Sequence, residues 1–257
     1  MKLSICADTS FLDLPFETRM KRIADAGFYT EFWGAAGRDM DAIAADADIR
    51  VASCAGFVSG SIVHPDAVDE FMDGVRKQLA VADKIKTPNL GLCTGSLSAE
   101  DGRSTHAVAE HPATMWITAY KTLSRIAELA EKHNVQYNLE ALNIKTDHGG
   151  YPVPLLEDAA RLLEQVGSPR IRLLFDVYHA QIQEGNVIQC LRDYADFIGY
   201  VHFADVPGRN EPGTGEINYP NVVKALRQMG YDGYVGLEAY PSVDDKTALA
   251  AFKALFD

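Results

Sequence analysis

The sequence predicts an α/β fold, a single (β/α)8 or TIM barrel covering residues 1–257. Three observations carry that prediction. Short apolar runs recur eight times, helical periodicity fills the gaps between them, and the repeat averages about 32 residues, the size of one βα unit in such a barrel. A doubly wound open sheet is the rival. It is disfavoured because no Gly-x-Gly-x-x-Gly follows the first run and the repeat continues to eight. No linker rich in Pro, Gly or Ser divides the chain.

Taken in order, strands are expected at 3–7, 28–33, 51–55, 89–94, 136–142, 171–177, 198–204 and 234–239. Each is a continuous apolar run rather than an alternation, as parallel strands covered on both faces require. Between them, Val68, Phe71, Val75, Leu79 and Ala82 recur at helical spacing. Trp116, Tyr120, Leu123, Ala127 and Ala130 form a second stripe, and Leu155, Ala159, Leu162 and Val166 a third. Gly27, Gly167 and Gly230 mark helix exits. The connection over 95–114 is long for a compact domain, which fits either a lid over a binding site or a solvated excursion.

Composition narrows the function. With 47% apolar and 23% charged residues the chain is not a disordered one. A net charge of −12 argues against nucleic acid or an anionic membrane as partner, because phosphate surfaces need basic footprints. The longest uncharged stretches contain Gly, Ser, His and Pro and cannot span a bilayer, and the N-terminal apolar core is short for a signal peptide. A cytoplasmic protein is expected. Cys6, Cys54, Cys93 and Cys190 lack metal-type spacing, and the first three read as small packing residues within apolar runs.

In a barrel of this kind chemistry sits at the C-terminal ends of the strands. Four polar residues stand there: Glu140 after strand five, Asp176 after strand six, His202 on strand seven and Glu238 after strand eight. Their spacings of 36, 26 and 36 residues are one barrel unit each, so all four can face one cavity. Three carboxylates and an imidazole converging in one place repel one another unless a cation holds them. Oxygen-rich ligation with one nitrogen suits one divalent ion, Mg²⁺ or Mn²⁺, better than a thiolate-type zinc site. Taken singly, Asp176 reads equally as a helix N-cap and each Glu as an Arg partner; the joint pattern is what signals a site.

Weaker candidates lie beside them. Glu31 and Trp33 end strand two and are expected in the pocket wall, with rim packing the alternative for Trp33. His148 lies in the loop after strand five, within reach of a substrate. Glu216 reads as a capping or loop-bracing residue before a helix that starts near Asn218 and Pro220.

The runs LLFDVYHAQIQEG at 173–185, ADVPGRNEPGTGEINYP at 204–220 and GYDGYVGLE at 230–238 resemble the hydroxypyruvate isomerase family of the xylose-isomerase-like TIM-barrel superfamily. The likeness covers nearly the whole chain and is densest from about residue 139 onward. It implies one divalent ion bound by Glu140, Asp176, His202 and Glu238, proton exchange by Glu140 and Glu238, and substrate contacts from His179 and Arg209. It also implies a small hydroxy-oxo acid or sugar as substrate and a homo-oligomer. His202 stands where sugar epimerases carry His and some hydroxypyruvate isomerases carry Gln, so the resemblance leaves both substrate types open.

The reaction this implies is aldehyde–ketone interconversion of an α-hydroxy carbonyl compound through an enediolate, which a chelated cation stabilises by several kcal/mol. A ketose 3-epimerase would use the same residues on a longer substrate. An AP-type endonuclease would need more His and Asp ligands and a basic face, and a non-catalytic sugar-binding module would leave the four-residue constellation unexplained. Arg209 is suited to holding a substrate carboxylate bidentately; its alternative is a loop-bracing salt bridge to Glu211 or Glu216.

Overall fold

Eight strands run parallel and close on themselves in chain order: β1 (Lys2–Cys6), β2 (Tyr29–Phe32), β3 (Val51–Ala55), β4 (Asn89–Leu92), β5 (Gln136–Glu140), β6 (Ile171–Asp176), β7 (Ile198–Phe203) and β8 (Tyr234–Leu237). Closure is made by β1 against β8, with Ser4 opposite Gly236 and Ile5 opposite Leu237. The architecture comes from a computed structural model that describes residues 1–106 and 110–257.

Helices α1 (Phe16–Asp25), α2 (Met40–Ala45), α3 (Val68–Ile85), α4 (Pro112–His133) and α5 (Leu156–Val166) connect the first six strands. Between β6 and β7 lie two short helices, α6 (Val177–Gln183) and α7 (Val187–Asp193); α8 (Tyr219–Gln228) precedes β8 and α9 (Asp245–Ala254) follows it. Among the described residues no helix is long and apolar enough to cross a membrane.

The continuous apolar character of the strands has a direct cause. Leu173, Phe175, Val201, Phe203, Val235 and Leu237 are fully buried against the helices. Full burial of one such side chain contributes about 1.5–3 kcal/mol. The opposite face of each strand points into the barrel, where alternation with a period of two puts Glu140, Asp176 and His202 in the uppermost interior layer. Register strengthens this placement, because Asp176 and His202 are paired residues of β6 and β7.

Most strand limits differ from the expected ones by one or two residues. β4 stops at Leu92 rather than 94, and β5 at Glu140 rather than 142. Ala141 and Leu142 are still buried, so hydropathy continues beyond the point where the hydrogen-bond ladder stops. Only β3 has the expected limits.

Two helical stripes also need correction. On α4 the buried face is Ala119, Leu123, Ile126 and Ala130, whereas Tyr120 is 40% exposed. Ala119 allows close approach to the barrel, and a tyrosine keeps its hydroxyl in water. Leu155 is 38% exposed because it is the residue before α5; Leu156, Ala159, Leu162 and Leu163 form the inner face. The stripe of α3 is as expected, with Phe71, Val75, Leu79 and Ala82 all buried. Gly27, Gly167 and Gly230 each end a helix at positive φ.

Candidate active site

Glu140, Asp176, His202 and Glu238 present ligand atoms that all lie within 4.8 Å of one another at the C-terminal mouth of the barrel. Each arrives there for a local reason. Glu140 is the last residue of β5, and its carbonyl is held by the Tyr151 hydroxyl at 2.7 Å. Asp176 ends β6 and caps α6, accepting from the backbone N–H groups of Tyr178 (2.7 Å) and His179 (3.2 Å) through Oδ1. That cap leaves Oδ2 without a hydrogen bond, so one side chain can cap α6 and still turn an oxygen toward the cluster. Glu238 follows β8 directly, with its N–H donating to Phe203 carbonyl at 3.1 Å.

The free atoms face one another. His202 Nδ1 lies 3.9 Å from Glu140 Oε1 and 3.6 Å from Glu238 Oε2. Glu140 Oε1, Asp176 Oδ2 and His202 Nδ1 are buried and have no hydrogen-bond partner. A buried polar atom left unpaired costs about 1–3 kcal/mol, more when charged. Three of them around one point fit a cation with mostly oxygen ligands and one nitrogen.

The electrostatics are uneven across the cluster. Burial, then the neighbouring Glu238, pushes the Glu140 carboxyl well above the usual carboxylate range. Burial also raises Asp176, to about 6, against the pull of Arg209 and His202. Glu238 is buried too, but Arg209, His202 and the Trp33 indole N–H outweigh desolvation and hold it below the usual value. For His202, burial lowers the imidazole while Glu31, Glu238 and Glu140 raise it, with the net result pushed up to about 10. Two glutamates with opposite protonation tendencies in one cavity are the arrangement acid–base exchange uses.

His179 is fully buried beside this cluster, with Nε2 3.7 Å from Asp176 Oδ2 and 4.0 Å from Glu140 Oε1. Asn143 Nδ2 donates to its Nδ1 at 2.7 Å, and Asn143 is itself oriented by donating to Asp147 Oδ2 at 2.8 Å. An Arg209 guanidinium nitrogen lies 3.3 Å from Nε2, so both ring nitrogens of His179 face N–H donors. Burial, then Arg209, keeps this imidazole well below its ordinary pKa and hence neutral.

Arg209 reaches the same point from the loop after β7. A terminal guanidinium nitrogen donates to Glu238 Oε2 at 2.5 Å and lies 3.7 Å from Asp176 Oδ2. Its Nε is buried without a partner. The loop that delivers it is organised by Asp205, whose buried carboxylate accepts from the N–H groups of Val206, Gly213, Gly215 and Ile217 at 2.9–3.0 Å. Neither Glu211 nor Glu216 braces Arg209. Glu211 accepts from Ser242, and Glu216 from Gln181, so Glu216 braces its loop elsewhere while Asn218 caps α8.

A cavity of about 660 Å³ opens beside the cluster. Glu31, Trp33, Glu140, His148, His179, His202, Arg209 and Glu238 all line it, together with Cys6, Cys54 and Cys93. Trp33, 47% exposed, donates its indole N–H to Glu238 Oε1, so it is more than rim packing. Residues 96–99 and Gly102 of the long loop also line the cavity, and His148 Nδ1 ties that loop down through the Gly102 carbonyl at 2.8 Å. Residues 107–109 of this long connection lie outside the described residues. Asp205, Asn143 and the partners of Glu31 are the site-building features that sequence reasoning missed; an Asp-x-Pro-Gly run followed by Gly-x-Gly was the available signal for Asp205.

Known proteins resemble this chain in sequence and in fold. A putative hydroxypyruvate isomerase of Homo sapiens is 29% identical over 188 residues, 73% of this chain and 66% of that protein, just under two thirds of its length. A 2-oxo-tetronate isomerase of Cupriavidus necator is 33% identical over 136 residues, covering 53% of this chain and 52% of its own. Among solved structures, an AP endonuclease, family 2, from Brucella melitensis superposes with a TM-score of 0.89 at 25% identity over 98% of both chains. The profile of one family, described as xylose isomerase-like TIM barrel, matches residues 17–255. With a closed eight-stranded barrel and a match over nearly its full length, the chain belongs to the xylose isomerase-like TIM barrel family.

Proposed function

We propose that the protein is a metal-dependent isomerase that interconverts the aldehyde and ketone forms of a small α-hydroxy carbonyl compound, an oxo acid of the hydroxypyruvate type. The observation that carries the reading is the convergence of three orphaned donor atoms, on Glu140, Asp176 and His202, with Glu238 Oε2 at one point. The names of the human and C. necator relatives, both isomerases of small hydroxy-oxo acids, agree with it.

Glu140, Asp176, His202 and Glu238 would hold the ion, with Mg²⁺ or Mn²⁺ suited to so oxygen-rich a set. A bound divalent cation supplies neutralisation of the negative charge that builds on two adjacent substrate oxygens when a carbon proton leaves. The chain's own residues move the protons. Glu238, held ionised, takes the proton from the hydroxyl-bearing carbon, whose electron pair flows toward the neighbouring carbonyl oxygen. Glu140 delivers a proton to the former carbonyl carbon, and the hydroxyl proton passes between the two oxygens. Each assistance is worth about 10²–10⁴-fold. His179, at the edge of the cluster, orients the substrate, and Arg209 pairs with the substrate carboxylate.

A second reading, epimerisation of a longer neutral ketose, is favoured by one observation, the cavity of about 660 Å³, which exceeds what a three-carbon acid fills. Incubating the protein with hydroxypyruvate, a four-carbon oxo acid and free ketoses, with and without Mn²⁺, separates the two. The acid reading expects Mn²⁺-dependent turnover of the acids in preference to ketoses; turnover of ketoses alone moves the protein to the epimerase reading, and no metal-dependent turnover of either overturns both.

A further inference from the structure

Beneath His202 the barrel holds a second buried carboxylate that the proposed chemistry does not use. Glu31 is a β2 residue, buried inside the barrel. Its Oε2 accepts from the Ser4 hydroxyl at 2.9 Å and from the Tyr200 hydroxyl, and those two hydroxyls lie 2.7 Å from each other. Its Oε1 lies 3.3 Å from Nε2 of His202. Space for the carboxylate is made by Gly236 on β8, where a Cβ would stand 2.5 Å from both Glu31 oxygens. Four strands thus meet in one small device: Glu31 from β2, hydroxyls from β1 and β7, and a missing side chain from β8.

The arrangement has a direction. Tyr200 and His202 are two residues apart on β7 and point into the barrel together, with ring centroids 5.4 Å apart and planes at 85°. The two hydroxyls fix Oε2, which fixes the rotation of the Glu31 carboxyl and aims Oε1 at Nε2. An imidazole has one proton when neutral, and a carboxylate facing Nε2 draws it there. Nδ1 is then left with its lone pair, and Nδ1 is the atom that faces Glu140 and Glu238. A buried carboxylate without such a task is an expensive filler.

We infer that Glu31 is a positioning residue, which holds His202 through Nε2 so that Nδ1 is presented as a ligand, and that Ser4, Tyr200 and Gly236 are the supports that hold Glu31. The inference rests on the reading of His202 as a metal ligand and adds to it the residue that sets the ring. Outer carboxylates of this kind typically change metal affinity 10–100-fold when removed.

The test is Mn²⁺ binding to the whole chain, followed by the electron paramagnetic resonance signal of the free ion, with the visible absorption of Co²⁺ as a second readout. Glu31→Gln keeps the shape of the side chain and removes its charge. The expected results are a Kd for Mn²⁺ raised about 10–100-fold and a shifted Co²⁺ band at saturation. A Kd within twofold of wild type with an unchanged Co²⁺ band would overturn the inference and leave Glu31 as packing. Tyr200→Phe removes one support without touching the charge, and a smaller loss of affinity in the same direction is expected. If Glu31→Gln does not fold, Tyr200→Phe decides alone, an unchanged affinity there counting against the inference. Failure of the wild-type chain itself to bind Mn²⁺, or binding that Asp176→Asn leaves untouched, would instead sink the metal reading on which this one stands.

Discussion

Arg209 donates to Glu238 at 2.5 Å, so the cation from the loop after β7 is bonded to one of the two glutamates proposed to move protons. The contact helps hold Glu238 below the usual carboxylate range, and Arg209 Nε is buried and unpartnered; in the proposed reaction that N–H would serve an acidic substrate. Arg209→Lys keeps a charge near Glu238 but loses the guanidinium fork. For hydroxypyruvate-like acids kcat/KM should fall about 10- to 150-fold, the equivalent of roughly 1.5–3 kcal/mol for bonds between charged groups. Neutral ketoses should lose much less. Equal losses on both substrate types would mean that Arg209 acts only through Glu238.

Removing divalent ions should destabilise the fold measurably. Glu140 Oε1, Asp176 Oδ2 and His202 Nδ1 have no hydrogen-bond partner, and a bound cation would supply one. At Mn²⁺ concentrations about 100 times Kd the native state gains about 2.7 kcal/mol, which raises Tm by roughly 5–10 °C in a chain of this size. Differential scanning fluorimetry with EDTA, then with added Mn²⁺, reads this directly. Glu140→Gln and Asp176→Asn should each shrink the Mn²⁺-induced rise; an unchanged rise in both would place the ion elsewhere.

The Asp205 anchor predicts a stability effect with a functional consequence. Its carboxylate accepts four backbone N–H bonds from the loop that carries Arg209. Asp205→Ala leaves those donors without their acceptor in a buried place, and unfolding free energy should drop by about 3 kcal/mol or more. Chemical denaturation measures that drop. The barrel strands do not depend on this loop, so far-UV circular dichroism should stay near wild type while turnover is lost with the displaced Arg209. Wild-type stability would show that the loop has another support.

The barrel was legible because parallel strands buried on both faces have to be written as apolar runs, and eight of them recur at an even interval. The four ligand candidates were legible for a related reason. A charged residue at the end of such a run, as in Leu139-Glu140 or Phe175-Asp176, is costly unless it has a task. Glu31 was placed in the pocket wall, but its bonds to Ser4 and Tyr200 and its close approach to His202 join residues 27 to 171 positions apart in a chain that gives no local sign of them. Arg209 was assigned to the site, yet its bracing partner was sought among its sequence neighbours Glu211 and Glu216. The real partner, Glu238, stands just after β8, which pairs with β7. Asn143 was invisible because an amide in a polar loop has no signature until its partner His179 is in place.

The two glutamates give the sharpest test of mechanism. Glu140→Gln and Glu238→Gln should each lower kcat at saturating Mn²⁺ by at least about 10²-fold, the lower range for one acid–base group. Measuring at saturation separates proton transfer from weakened metal binding, since either side chain would serve both. In D₂O the wild-type product should carry deuterium at the carbon that receives the proton, because carboxyl protons exchange with solvent between turnovers. In the single mutants, substrate-hydrogen exchange should also fall. Full retention of the substrate hydrogen at every temperature and substrate concentration would favour a hydride shift between the carbons over the two-carboxylate route. Near-wild-type kcat in both mutants would remove Glu140 and Glu238 from the proton path and leave them as ligands alone.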